Sequence, residues 1–315
     1  LVYIINFSYF LVYLYSSFQL LFSFSYMSFY FYVLLNSLSS IMVFNWLNSF
    51  SLDLGVFTYY LFTLVSDIFI IWSSVYGESF IFALAILFKL SFFPLFWWFF
   101  PLIPYFNYSL LFFILVIHKS LYCLVYLNLA KLSFISINLC CLIIILISLI
   151  YMLFTYRDLM YYLFWSSTFH TGWYVLACSI SPNVALKYWV MYLVLTLVLF
   201  SFLVYNSNLS SLYDVSQIGS VSTYFMLVLY VTLTGFPPFV LFACKFILFL
   251  IVNPLTVSSV FILLLLLCVM VLSMIILVLF LSELFIYSNF SYLVNSYLFL
   301  VSVSFVLLLM FYLLA

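Results

Sequence analysis

Charged side chains are almost absent from this chain: six Lys and Arg and six Asp and Glu occur among 315 residues. Soluble domains carry about 25% charged residues, whereas the share here is 4%. Such a chain cannot cover a water-facing surface, so we place it in a lipid bilayer. The apolar runs have the length of membrane helices, roughly 20 residues, and lack the alternation of a membrane barrel. The sequence predicts an all-α integral membrane protein without a nucleic-acid partner.

Clusters of Asn, Ser, Asp, Gly and Pro divide the chain into about eleven membrane-spanning segments. We treat them as one polytopic membrane domain, residues 1–315. The predicted segments are 2–18, 21–43, 57–75, 80–98, 108–127, 133–154, 160–179, 184–205, 223–252, 257–281 and 294–314. The boundary between the first two is the least defined, because no charge or proline occurs in residues 1–35.

Two predicted segments contain helix breakers. Segment 223–252 would be about 45 Å long as one helix, well beyond the ~30 Å hydrocarbon core. Gly235, Pro237 and Pro238 lie near its middle, and proline removes a backbone donor and clashes with the preceding turn. Segment 80–98 repeats the pattern at Pro94. We predict a discontinuous helix at each place, and paired interrupted helices point to a transport path.

Four charged residues lie near the midpoints of predicted segments: Asp67, Lys89, Lys119 and Lys245. A charge at the bilayer centre costs about 2.5–3.5 kcal/mol on insertion scales, so it needs a partner or a function. Burial disfavours the charged form of a lysine, which can then take up and release a proton near neutral pH. We interpret the three lysines as a proton path. The alternative is a set of structural ion pairs that fix helix packing.

The other charges are expected at the membrane surface, because they lie at or near segment ends. They are Asp53, Glu78, Lys131, Arg157, Asp158, Lys187, Asp214 and Glu283.

The two histidines, His118 and His170, are weaker candidates for the same path. Neighbouring helical residues point about 100° apart, so His118 and Lys119 do not share a helix face and a relay between them is not implied. A lone buried histidine is more often a packing residue. Neither the histidines nor the six cysteines have the spacing of a metal or iron–sulfur site.

Four blocks of sequence, in order along the chain, resemble one known family. They are LFKLSFFPLFWW (87–98), LFWSSTFHTGW (163–173), SPNVALKYWVMYLVLT (181–196) and TGFPPFVLFACKF (234–246). The first is similar to the family block KLG-x-x-PFH-x-W, the second to LAYSS-x-x-H-x-GW and the last to G-x-PP-x-x-GF-x-x-K. NSFSLDLGVFTYYLF (48–62) is weakly similar to the loop before the family's third helix. The family is NADH dehydrogenase subunit 2, the antiporter-like membrane-arm subunit of respiratory complex I.

The resemblance implies a fold of two inverted five-helix repeats, each with one broken helix, and additional C-terminal helices. Eleven segments correspond to the short, animal-type form, which lacks the first three helices of the bacterial form. Lys89, Lys119 and Lys245 stand where the family keeps its proton-carrying lysines, and His170 stands on its histidine.

The function implied by the resemblance is proton translocation within NADH:ubiquinone oxidoreductase. No redox chemistry is expected in this chain, since FMN, the iron–sulfur clusters and ubiquinone belong to other subunits. Expected partners are antiporter-like subunit 4, the small core subunits on the opposite side, accessory subunits and phospholipids such as cardiolipin. The open alternatives are a stand-alone cation/proton antiporter and a non-pumping scaffold subunit.

The expected location is the mitochondrial inner membrane. The chain has 42 Phe and 29 Tyr but 5 Gly. That bias is typical of a T-rich coding strand, as in many organelle genomes, and favours a mitochondrial gene.

One departure from the family concerns its glutamate in the second helix of the short form. Ser25 occupies the aligned position, and no acidic residue precedes Asp53. Because Asp67 is the carboxylate nearest the middle of a predicted segment, we hypothesise that it has become the partner of Lys89.

Overall fold

The structure, a computed structural model, describes most of the first two thirds of the chain and isolated positions beyond it. The described ranges are 2–22, 26–47, 54–77, 79–91, 106–129 and 135–205, with 99, 102–103, 211, 214, 226, 229, 233, 241, 244–245, 247–248 and 275. Regular elements in these residues are helices. The chain divides into two compact units, residues 1–133 and residues 134–315.

The described residues of the first unit form six α-helices. Their bounds are α1 Val2–Phe22, α2 Tyr26–Leu47, α3 Leu54–Tyr76, α4 Ser79–Lys89, α5 Tyr108–Phe112 and α6 Lys119–Leu129. A π-helical segment, Phe113–His118, joins α5 to α6 without a break. Helix α2 packs against both α1 and α3, α4 packs against α3, and α6 contacts α4 and α1. Residues of α1–α4 and α6 therefore meet in the interior of this unit.

The described part of the second unit is built around one central helix. Its helices are α7 Ile135–Thr155, α8 Leu159–Ile180 and α9 Pro182–Tyr205. Helix α8 packs against α7 on one side and α9 on the other, and 18 of its residues are buried. Pro182 opens α9, where a fixed φ and a missing N–H suit the first helical position.

Several described helices have the length and composition of membrane spans. Four qualify, at Met27–Phe44, Phe57–Tyr76, Tyr108–Leu127 and Pro182–Tyr205, and shorter apolar helices lie at Phe7–Phe22, Phe80–Lys89 and Cys140–Thr155. Large apolar side chains point outward from them, among them Phe18, Phe31, Ile68 and Phe154, as expected for lipid-facing surfaces. The prediction of an all-α membrane protein is confirmed for the described residues. The predicted segments after residue 222 lie almost wholly outside them.

The predicted segment ends agree with the helices within a few residues. The exception is segment 80–98, because α4 ends at Lys89. At the first turn the difference is smaller, since α1 extends to Phe22 and α2 begins at Tyr26. Helix α4 ends at Lys89, and Ser91 has φ 52° in the left-handed region that few non-glycine residues adopt. The α-helix therefore stops before Pro94, and the second half of the predicted discontinuous helix lies outside the described residues. Pro94, Gly235, Pro237 and Pro238 themselves lie outside the described residues.

The close packing of α7 and α8 depends on the absence of a side chain at Gly172. A Cβ atom placed there would lie 2.7 Å from Ile145 Cγ1 and 3.1 Å from Ile144 Cγ2. Both atoms belong to β-branched side chains close to their backbone, so neither can swing away. The glycine thus sets the distance between the two helices.

We predict that Gly172→Ala lowers the free energy of unfolding by about 1–3 kcal/mol, the usual range for an overpacked core. Adding Ile145→Ala removes the clashing atom, so the double variant should be less destabilised than the sum of the two single variants. Denaturant unfolding of the full chain in detergent measures this. Additive effects of the two substitutions would contradict the packing argument.

Candidate functional site

An ion pair between Asp67 and Lys89 lies inside the first unit. Asp67 comes from the middle of α3, and Lys89 is the last residue of α4. Their side chains are 1–2% exposed. Pairing offsets the large free energy that either charge alone would require at this depth. The C-terminal end of α4 adds a favourable negative dipole beside the ammonium group.

A second partner of Lys89 is the phenol of Tyr122 on α6. Lys89 Nζ donates to Tyr122 Oη at 2.7 Å, and it lies 4.5 Å from the centroid of that ring. Asn36 Nδ2 on α2 donates to the same oxygen at 3.2 Å. Ser16 Oγ on α1 donates to Asn36 Oδ1 at 3.2 Å. A buried polar chain therefore connects Lys89 to three further helices.

A small cavity of about 10 Å³ lies next to the ion pair, which is the size needed for one water molecule. Its polar lining includes Lys89, Lys119 and His118, and also the hydroxyl-bearing Tyr59, Thr63 and Ser66. Two of the three candidate lysines therefore border one space that can be wetted.

His118 and Lys119 both border this cavity, although the sequence placed them on different helix faces. They lie where the π-helical segment meets α6, and such segments are frequent at functional sites. Tyr13 Oη on α1 lies 3.3 Å from His118 Nδ1. The sequence carries no signal that would reveal a π-helical turn.

The third candidate lysine, Lys245, lies in the second unit and is 0% exposed. Its Nζ is 4.5 Å from the ring centroid of Phe169 and 5.6 Å from that of Trp173. Both rings come from α8, four residues apart and hence on one face. Aromatic faces attract a buried cation, so α8 provides a favourable surface for this ammonium group.

Each ring nitrogen of His170 has a hydrogen-bonding partner. In sequence the residue lies between Phe169 and Trp173, the two aromatic contacts of Lys245. Its Nδ1 lies 2.6 Å from Tyr188 Oη, and its Nε2 lies 2.8 Å from the carbonyl oxygen of Leu233. The ring also packs against Tyr192 at 4.6 Å between centroids. Tyr188 and Tyr192 come from α9, so His170 connects α8 to α9 and to residue 233.

Of the four described charges that were expected at the surface, three are exposed and one is half-buried. Arg157, Asp158 and Lys187 are exposed, and Asp214 is half-buried and accepts a hydrogen bond from the Ser211 amide at 2.8 Å. The remaining members of that group, and Ser25, lie outside the described residues: Asp53, Glu78, Lys131 and Glu283.

Sequence reasoning missed the neutral partners of the lysines. Tyr122, Asn36 and Ser16 gave no signal, because each is one of several uncharged polar residues in its helix and nothing in the sequence distinguishes it from the others. Phe169 and Trp173 could have been found, since they flank His170 at helical spacing within the FHTGW motif.

Comparison with solved structures shows which fold this is. The chain is similar to a chain of the respiratory complex I from Thermus thermophilus with bound aureothin, with a TM-score of 0.68 and 19% sequence identity. The match covers 85% of this chain and 67% of that chain. No protein-family model and no curated protein matches the sequence. The likeness establishes a shared fold.

We predict strong coupling between the two members of the ion pair. Removing one partner leaves a buried charge, so Asp67→Asn and Lys89→Met should each lower the free energy of unfolding by about 3–5 kcal/mol. The double variant should be destabilised by clearly less than the sum. Denaturant unfolding of the full chain provides the measurement, with the exposed Asp158→Asn as the control that changes little. Independent, additive effects would show that the pair does not hold the first unit together.

Proposed function

We propose that the chain is a proton-translocating membrane subunit of respiratory complex I. The observation that carries the proposal is the buried Asp67–Lys89 ion pair, located beside a second buried lysine. The fold shared with a chain of complex I from Thermus thermophilus supports the assignment to such a complex. Electron transfer in other subunits supplies the free energy, and this chain supplies the buried amines.

Lys89 is the gate of the proposed path. While the Asp67 carboxylate and the Tyr122 oxygen both contact the ammonium group, the charged form is favoured. If the carboxylate withdraws, a buried cation loses its counter-charge, and release of the proton becomes favourable. A small displacement of α3 against α4 is therefore sufficient to change the protonation of Lys89.

The cavity beside the ion pair provides the first step of transfer. Lys89 and Lys119 both border it, and one water molecule there could accept hydrogen bonds from one amine and pass a proton to the other. The hydroxyl groups of Thr63 and Ser66 in its lining give such a water further partners. Lys245 is the final carrier in the proposed order, which follows the resemblance to the subunit 2 family.

The finer assignment follows the same resemblance. We propose subunit 2 of the mitochondrial enzyme, with eleven spans in two inverted repeats and a location in the mitochondrial inner membrane. Its neighbours would be antiporter-like subunit 4, the small core subunits, accessory subunits and cardiolipin. FMN, the iron–sulfur clusters and ubiquinone would be bound by other subunits. In this arrangement Asp67 takes the role that a second-helix glutamate has in the family.

Membership of the complex has a direct test. Solubilised in mild detergent and isolated through a tag, the chain should co-purify with many subunits and with NADH oxidation activity. A stand-alone antiporter would instead be recovered as a small oligomer without that activity, and this result would overturn the proposal.

Pumping should depend on the ion pair. We predict that Lys89→Met and Asp67→Asn each lower the number of protons moved per NADH oxidised, because neither variant retains a switchable pair. Proton uptake into vesicles containing the assembled complex gives this ratio. Lys187→Met, at an exposed lysine of α9, is the matched control and should pump normally. An unchanged ratio in Lys89→Met with intact assembly would identify the chain as a scaffold.

A further inference from the structure

Each proline site leaves one backbone carbonyl for which the proline cannot serve as a donor. In an α-helix the N–H of residue i donates to the carbonyl of residue i−4, and proline has no N–H. Pro94 therefore cannot donate to the Leu90 carbonyl, and Pro237 cannot donate to that of Leu233. Pro238 follows directly, so a π-type bond from residue 238 to Leu233 is also impossible.

In both places a side chain donates a hydrogen bond to the carbonyl oxygen four residues before the proline. Ser91 Oγ donates to the Leu90 oxygen at 2.6 Å, and His170 Nε2 lies 2.8 Å from the Leu233 oxygen. All four residues are at most 1% exposed, and buried carbonyls need a donor. The donor is local at Leu90, where it is the next residue, and distant in sequence at Leu233, where it comes from α8.

The contact with Leu233 determines where the proton sits on His170. A carbonyl oxygen accepts hydrogen bonds and has no proton to give, so Nε2 must carry the hydrogen. In a neutral ring Nδ1 is then the acceptor, and the Tyr188 hydroxyl donates to it at 2.6 Å. In the described part of the chain the titratable groups around the ring are Tyr188 and Tyr192, with Lys245 against the adjacent ring of Phe169.

This arrangement does not suit a histidine that passes protons on. A relay takes up a proton at one ring nitrogen and releases one from the other. The Nε2 proton points at a peptide carbonyl, which does not accept a proton, so its release would first require the contact with Leu233 to break.

We propose that His170 is a positioning residue, whose Nε2–H clamps the Leu233 carbonyl freed by Pro237 and fixes α8 beside Lys245. Phe169 and Trp173, the rings under the Lys245 ammonium group, lie on the same helix as the clamp. The clamp and the ring contacts therefore lie within five residues of α8, and both join this helix to the stretch of chain from Leu233 to Lys245. The inference rests on the proposed function only in taking Lys245 as a proton carrier.

A pair of substitutions separates a clamp from a carrier. His170→Gln places an amide N–H donor close to the position of Nε2 but does not titrate near neutral pH, whereas His170→Leu has a similar size and no donor. In the assembled complex we expect His170→Gln to pump protons close to the unaltered ratio and His170→Leu to lose most of its pumping. Loss of pumping in both variants, with assembly retained, would overturn the proposal.

A spectroscopic test needs no functional complex. The chain contains only two histidines, so the full chain labelled with ¹⁵N-histidine and placed in lipid bilayers gives two sets of ring signals, assigned with His170→Gln. We expect His170 to show a protonated Nε2 and an unprotonated Nδ1 across the pH range in which the complex pumps. A second protonated nitrogen in that range would overturn the clamp. This result is independent of co-purification, so it separates failure of the clamp from failure of the proposed function.

Discussion

The first unit depends on the neutralisation of buried charge at the Asp67–Lys89 ion pair. A single unpaired charge is costly within the membrane. Helices α3 and α4 must therefore remain in contact, so that each buried charge has the other as its partner. Tyr122 and Asn36 extend the same constraint to α6 and α2 through hydrogen bonds to one phenol oxygen. Four helices are thus oriented by the need to surround a single ammonium group.

The two units surround a buried lysine in different ways, and the difference affects how each can be regulated. A carboxylate contributes a full charge that falls off with distance, so movement of Asp67 changes the surroundings of Lys89 strongly. The rings of Phe169 and Trp173 contribute a weaker and shorter-ranged attraction to Lys245. On the proposed path Lys89 is therefore suited to respond to a distant event through movement of Asp67.

The sequence predicted the helical class, most helix ends, and the burial of Asp67, Lys89, Lys119 and Lys245. It also named Asp67 as the partner of Lys89, because few carboxylates occur in the chain and the others lie at segment ends. It could not predict the part played by Tyr122, since a contact between helices 33 residues apart in sequence depends on how each helix is rotated. The first turn was misplaced for a related reason: residues 23–25 contain no charge, glycine or proline.

At both proline sites the sequence alone identifies the acceptor carbonyl but not its donor. A proline has no N–H to give to the carbonyl four positions earlier, so Pro94 and Pro237 mark the carbonyls of Leu90 and Leu233 as acceptors that need another donor. The donor is a matter of tertiary structure. At Leu90 it is the next residue, Ser91, and the end of α4 is satisfied locally. At Leu233 it is His170 on α8, so displacement of α8 changes the backbone at 233 and the ring contacts of Lys245 together. The Leu90 carbonyl is thus satisfied within its own segment, whereas the Leu233 carbonyl is bound by the helix that carries the aromatic partners of Lys245.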